Sequence, residues 1–154
     1  MTFDEVGHLT PYTVIETDLQ TFEQMFVLNF SELSKRKKWY LNYLEYVKNL
    51  KETIEIDFLQ WVDGSFTTLK FNPNDIDFLT FLDFETYEQF DKEVNEFKGR
   101  RYSQLQGTDG YFIKVYPPQH RLYRLYELEY KRWIFDFSTN YKNNKSKGFV
   151  ALKF

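Results

Sequence analysis

Apolar positions along "SELSKRKKWYLNYLEYVKNLKETI" recur every three or four residues. Tyr40, Leu44, Val47 and Leu50 therefore share one face of a predicted helix, with Ser34 at its N-cap position. Upstream, "ETDLQTFEQMFVLNF" opens on Thr17-x-x-Gln20, a capping-box pattern that predicts a short helix. The period then shifts. "IEIDFLQWV" has the composition of a strand and ends at Asp63-Gly64-Ser65, and "DIDFLTFL" is apolar or aromatic on both faces, as a central strand is. Thr86-x-x-Gln89 starts a further helix running to about Lys98, with Gly99 as its stop. "YFIKVYP" predicts a third strand closed by Pro117-Pro118, "HRLYRLYELEYKRW" a last helix, and "KGFVALKF" a last strand. Helices and strands are interleaved without an internal repeat. The expected architecture is therefore α+β (mixed α/β): a small mixed sheet flanked by helices, in one domain spanning residues 1–154.

Composition narrows the function classes. A net charge of −3 argues against bulk binding of DNA. The absence of cysteine excludes disulfide staples and thiolate metal sites, and fits a reducing compartment. "MTFDEVGHLTPYTV" has neither the basic start nor the apolar stretch of a signal peptide, and "FLTFL" is soon followed by Asp83 and Glu85, so no run reaches membrane-spanning length. These features predict a soluble cytoplasmic protein with no membrane partner. Aromatic residues make up 21% of the chain, enough both to build the core and to leave rings over for a base-stacking pocket or a partner-binding face.

The stretch "WVDGSFTTLKFNPNDIDFLTF", Trp61 to Phe81, carries the candidate chemistry. Alternate strand residues face the same way, so Asp75 and Asp77 project to one side. Two carboxylates that close repel each other and resist burial, but they form a hard, oxygen-rich site suited to a divalent cation such as magnesium. Gly64 lets backbone approach a ligand, and Ser65 follows it at a turn whose free N–H groups can face an anion. Phosphate donors on one side and metal ligands on the other are what a metal-bound nucleoside triphosphate needs.

Val62-Asp63-Gly64-Ser65, nine intervening residues and Asp75-Ile76-Asp77-Phe78 resemble the signature of the DNA-polymerase-beta-like nucleotidyltransferase superfamily. With "GHLTPYTVIETDLQTFEQMF", "NPNDIDFLTF" and "KGFVALKF", nearly the whole chain is similar to a largely uncharacterised group of small bacterial nucleotidyltransferase-like proteins within it. The resemblance implies that Gly64 and Ser65 hold the triphosphate and that Asp75 and Asp77 bind Mg2+ or Mn2+. It also implies a third carboxylate on a neighbouring strand: Asp109 in "GTDGYFIKVYP", or, as the alternative, Asp136 in "WIFDF". The implied activity is transfer of a nucleotidyl group to a protein or RNA acceptor such as a tRNA end, within a toxin–antitoxin or defence pair. The competing expectation is a non-catalytic module of the same fold that binds a partner protein.

The remaining charges divide into surface and site. Lys70 is the nearest basic residue after Gly64-Ser65, and Arg121 and Arg124 share a helical face from which they could reach a triphosphate or an acidic partner. "KRKK", Lys35 to Lys38, reads as a solvated helix start, and "KGRR", Lys98 to Arg101, as cations favoured at a helix end. His8 and His120 form no metal or triad pattern.

Overall fold

The structure, a computed structural model, describes residues 1–99, 105–141 and 144–154. Two short strands, β1 (Thr2–Phe3) and β2 (Leu9–Thr10), pair antiparallel at the start, and β3 (Val14–Glu16) follows. Helix α1 (Leu19–Glu23) runs directly into a π-helical segment, Gln24–Leu28. Its N-cap is Asp18, whose carboxylate accepts from the Thr21 N–H at 2.7 Å, so the cap lies one residue beyond the expected Thr17. The long helix α2 covers Arg36–Ile54. Ser34 precedes it and accepts from the Arg36 N–H at 3.3 Å while donating to the Phe71 carbonyl at 2.6 Å.

Strands β4 (Leu59–Asp63) and β5 (Ile76–Asp83) come next, then helices α3 (Phe84–Gln89) and α4 (Asp91–Glu96). The single helix expected here is two, broken at Phe90. Its cap is Asp83, which accepts from the Thr86 N–H at 2.9 Å. Gly99 stands beyond α4 at a φ of 63°, the left-handed conformation that a helix stop favours. Strand β6 (Thr108–Val115) and helix α5 (Tyr123–Phe137) follow, then a β7 (Thr139–Asn140) and β8 (Lys145–Ser146) ribbon and the last strand, β9 (Phe149–Lys153). Arg100 and Arg101 of the "KGRR" run lie outside the described residues.

Five strands form one mixed sheet in the order β3-β9-β4-β5-β6, with β3 parallel to β9, β5 parallel to β6, and the two central pairings antiparallel. The fold is α+β, as the alternating periods predict. Strand alternation sends Val62, Phe78, Val150 and Leu82 to the face covered by α1 and α2. Trp61, Leu79, Ile113, Phe149 and Ala151 go to the face covered by α5, through Tyr126, Tyr130, Trp133 and Phe137. The rings do most of the packing: Tyr46 meets Phe78 edge-on at 4.7 Å, and Trp61 meets Tyr130 at 5.0 Å. Each fully buried ring of this kind contributes roughly 1.5–3 kcal/mol. One polar chain crosses the first face, from the Tyr43 hydroxyl to Gln60 (2.6 Å) and from Gln60 to Thr80 (2.8 Å), so its buried groups have partners.

Arg36 overturns the solvated reading of "KRKK". It is 1% exposed, and its guanidinium donates to four carbonyls: Phe26 (2.9 Å), Phe66 (2.7 Å), Thr68 (2.7 Å) and Lys70 (2.6 Å). Burial lowers its pKa to about 10, so it stays charged at neutral pH. Among the described residues no carboxylate reaches it; backbone dipoles and the Phe30 ring, 3.8 Å below the guanidinium carbon, replace the counter-ion. Arg36 thereby clamps the segment that follows Gly64-Ser65. The signal was available in the chain: carried back one turn, the apolar stripe through Tyr40 lands on Arg36.

Candidate functional site

Three aspartates lie in one row across the sheet. Asp63 ends β4 and pairs in register with Asp77 of β5, which pairs with Asp109 of β6. All three are on the α5 face, two residues from Trp61, Leu79 and Tyr111 respectively. Asp75 stands one strand repeat before Asp77. Carboxylate oxygens of Asp75, Asp77 and Asp109 all come within 4.8 Å of one another, close enough to share a single cation. Asp109, on the neighbouring strand, is thus the third carboxylate of the cluster. Asp136 sits on α5, where Arg132 (3.4 Å) and the Tyr141 hydroxyl engage it.

Like charges directly opposed across strands destabilise a sheet, and this row opposes three. The electrostatics register that cost. Burial, then the charges of Asp75, Asp63 and Asp109, raise the Asp77 pKa to about 7. Asp63 is raised to about 6 by burial, against the pull of Lys147, whose Nζ lies 2.6 Å from both carboxylate oxygens. With a pKa of about 6, Asp63 is still mostly ionised at neutral pH and takes both of these short charge-assisted contacts. Lys147 follows the β8 strand, and nothing local in the chain connects it to Asp63, 84 residues away. Neither residue's role could be read from spacing.

Gly64 sits directly under Asp77. Its φ is 79°, and a Cβ built there would stand 1.8 Å from the Asp77 Oδ2. Only glycine lets the turn pass this close to the carboxylate. The turn is closed by hydroxyl donors, Thr67 to the Gly64 carbonyl (3.3 Å) and Thr68 to the Ser65 carbonyl (2.8 Å). Phe66 anchors it, fully buried and stacked 5.9 Å from Phe22. Gly64→Ala is therefore expected to cost about 1–3 kcal/mol through backbone strain alone. It should also push the Asp77 carboxylate out of the row. A melt of the variant reads the first effect and manganese titration the second.

These residues open onto a cleft of about 940 Å3. Asp63, Gly64, Ser65, Asp77 and Lys147 form its polar end, and Thr68 and Lys70 one side. The last turn of α5 and the β7 segment form the other side. His8, 4% exposed, also lines it: its Nδ1 donates to the Ser146 carbonyl (3.2 Å) and its Nε2 accepts from the Asn140 amide (2.8 Å). Lys70 lines the cleft. Arg121 and Arg124 are not among the residues lining it. Arg124 sits in the first turn of α5, but Arg121 lies in the turn ahead of it, so the two do not share a helical face as expected; the eight residues from Arg124 to Arg132 span about 12 Å of helix.

Of the clustered carboxylates, Asp77 lines this cleft beside the Gly64-Ser65 turn, Lys70 and Lys147, whereas Asp75 and Asp109 are not among its lining residues and join it through Asp77. Residues 1–153 match the family of unknown function DUF6932, and the chain belongs to that family. No curated protein and no solved structure matches it. Among the described residues, no helix is long and apolar enough to cross a membrane.

Proposed function

We propose that the protein is a metal-dependent nucleotidyltransferase, moving a nucleotidyl group from a nucleoside triphosphate to a protein or RNA acceptor. The observation that carries this reading is the cross-strand row of aspartates. A sheet gains nothing from opposing Asp63, Asp77 and Asp109, and the convergence of Asp77 and Asp109 with Asp75 within 4.8 Å gives the row a purpose. It agrees with the resemblance to the DNA-polymerase-beta-like superfamily seen in the motif.

Asp75, Asp77 and Asp109 would hold Mg2+ or Mn2+; three carboxylates in oxygen-only coordination suit these ions. When bound, the cation supplies Lewis acidity at the α-phosphorus and screens the charge of the departing pyrophosphate. The chain's own groups do the rest. The Gly64-Ser65 turn presents backbone N–H groups and a hydroxyl to the phosphates, with Lys70 as a cation at the rim. Lys147 neutralises Asp63, so the fourth carboxylate adds no net charge where the triphosphate must approach. In the transfer, the acceptor oxygen bonds to the α-phosphorus as the bond to pyrophosphate breaks. The acceptor proton passes to one of the clustered carboxylates. A supply of triphosphate and acceptor of this kind fits a cytoplasmic setting, within a toxin–antitoxin or defence pair.

Calorimetry with manganese and a non-hydrolysable triphosphate should give a one-to-one complex. Triphosphate labelled at the α-phosphate should pass its label to a protein or RNA acceptor. Label passing only from the γ-position would contradict nucleotidyl transfer.

The outer face of α5 favours a second reading, a non-catalytic module of the same fold that binds a partner protein. Leu125, Leu128 and Phe135 are 61%, 65% and 61% exposed there, among the exposed charges of Arg124, Glu129, Lys131 and Arg132. Under that reading, Asp77→Asn leaves partner capture intact and the manganese titration is flat.

A further inference from the structure

The polar end of the cleft would account for a triphosphate but not for a base. Beyond the carboxylates the cleft turns aromatic. Tyr111, two residues after Asp109 on the same strand face, donates its hydroxyl to Asp109 at 3.3 Å and packs its ring 5.1 Å from Trp133. Trp133 in turn packs edge-on against Phe137 at 5.3 Å. The aromatic wall therefore begins one side chain away from the metal-binding cluster, in the same cleft that the Gly64-Ser65 turn lines. Val6 and Leu69, each about half exposed, line the cleft as well.

Within this wall stands one carboxylate outside the metal cluster. Asp136 lines the cleft next to Trp133 and Phe137. One of its oxygens accepts from the Tyr141 hydroxyl and the other from the Arg132 Nε at 3.4 Å, which fixes its plane. A carboxylate offers about four lone-pair sites, so each oxygen retains one for a ligand. Guanine is the base that offers two adjacent donors, N1–H and N2–H, to such a pair. Adenine offers one donor beside the acceptor N1, cytosine one donor beside the acceptor N3, and uracil one donor between two carbonyls. Each of those would set an acceptor against the carboxylate.

Resting on the triphosphate-binding reading above, we propose that the aromatic half of the cleft is a guanine-recognition subsite. Trp133 stacks on the base and Asp136 accepts from its N1–H and N2–H. The preferred donor substrate is then a guanosine triphosphate. Base stacking on an aromatic ring contributes about 1–3 kcal/mol, and a bidentate contact discriminates between bases by a similar amount.

The test is calorimetry on the full chain with manganese and three probes: non-hydrolysable GTP, non-hydrolysable ATP and inorganic tripolyphosphate. The GTP analogue should bind at least about tenfold more tightly than the ATP analogue. Asp136→Asn should abolish or reverse that preference, because its carboxamide sets one acceptor and one donor against the base and so suits adenine rather than guanine. Trp133→Ala should weaken both nucleotides by at least about fivefold and leave tripolyphosphate unchanged. Equal binding of the two nucleotides by the parent, or a GTP preference that survives Asp136→Asn, would overturn the subsite. If tripolyphosphate binds and the nucleosides add no affinity, the subsite fails while the triphosphate reading stands. If none of the three binds, both fail.

Discussion

In metal-free buffer Asp77→Asn should melt several degrees above the parent, and magnesium with a triphosphate should no longer stabilise it. The carboxylate is held at a pKa of about 7 by burial and by the charges of Asp75, Asp63 and Asp109. At neutral pH the fold therefore works against its ionisation, whereas the unfolded chain ionises it freely. Asparagine keeps the shape and removes the conflict, a gain of about 1–3 kcal/mol; each kcal/mol moves the melting temperature of a chain this size by about 2–4 °C. The parent should also show a matching pH dependence. A carboxylate whose folded pKa is raised contributes stability that is full below its unfolded value and is lost as pH rises through its folded value. For Asp77 that window runs from about 4 to about 7. The metal-free parent should therefore gain stability as pH falls from 8 toward 5, and the variant should flatten that slope. Under the proposed nucleotidyl transfer, activity should drop roughly a thousandfold, the loss of several kcal/mol of charge stabilisation at the reacting phosphate. A metal-free variant that melts clearly below the parent would mean Asp77 serves the fold and not the site.

Arg36→Met should be the most destabilising single change away from the carboxylates, costing about 3 kcal/mol or more. Four carbonyls lose their donors together, at about 1 kcal/mol or more each, offset in part by the relief of burying a charge. The melting point should fall by about 6–12 °C. Three of those carbonyls, from Phe66, Thr68 and Lys70, belong to the segment after the Gly-Ser turn, so triphosphate affinity should fall at temperatures where the variant is still folded. Arg36→Lys separates charge from geometry, because an ammonium carries the charge but not a planar fork able to reach four carbonyls at once. It should recover less than half of the lost stability. A variant as stable as the parent would show that the loop holds itself.

What the chain reveals by inspection follows the range of the interaction. Asp75 and Asp77 are two apart at the mouth of β5, Asp75 just ahead of its first residue, and Gly64-Ser65 follows β4, so strand alternation and turn chemistry alone predict a charged, ligand-facing end. The α+β layering follows from the change of period between Ile54 and Leu59. Register is a different matter. That Asp63 opposes Asp77 and Asp77 opposes Asp109 depends on how three strands slide past each other, and no local pattern encodes it; Asp109 was reachable only by resemblance. The Asp63–Lys147 pair spans most of the chain, and β3, at three residues, is too short to display a period. Arg36 is legible only from its place on the apolar stripe, since a cation in a basic run otherwise reads as solvated.

The position of β9 has a consequence for how the chain reaches this state during synthesis. Of the five sheet strands β9 is made last, yet it lies between β3 and β4, bonded to both. Until it emerges, β3 has no neighbour and β4 exposes an unpaired edge. The β4–β5–β6 unit, being contiguous in the chain, can already assemble with its aspartates aligned. Lys147 leaves the ribosome only just ahead of β9, so a nascent chain carries the full acidic row before the lysine that offsets Asp63 exists. Closure of the sheet and arrival of that cation are thus one event, late and long-range, and a β4–β5–β6 unit formed ahead of it would hold the chain's most repulsive residues assembled and uncompensated.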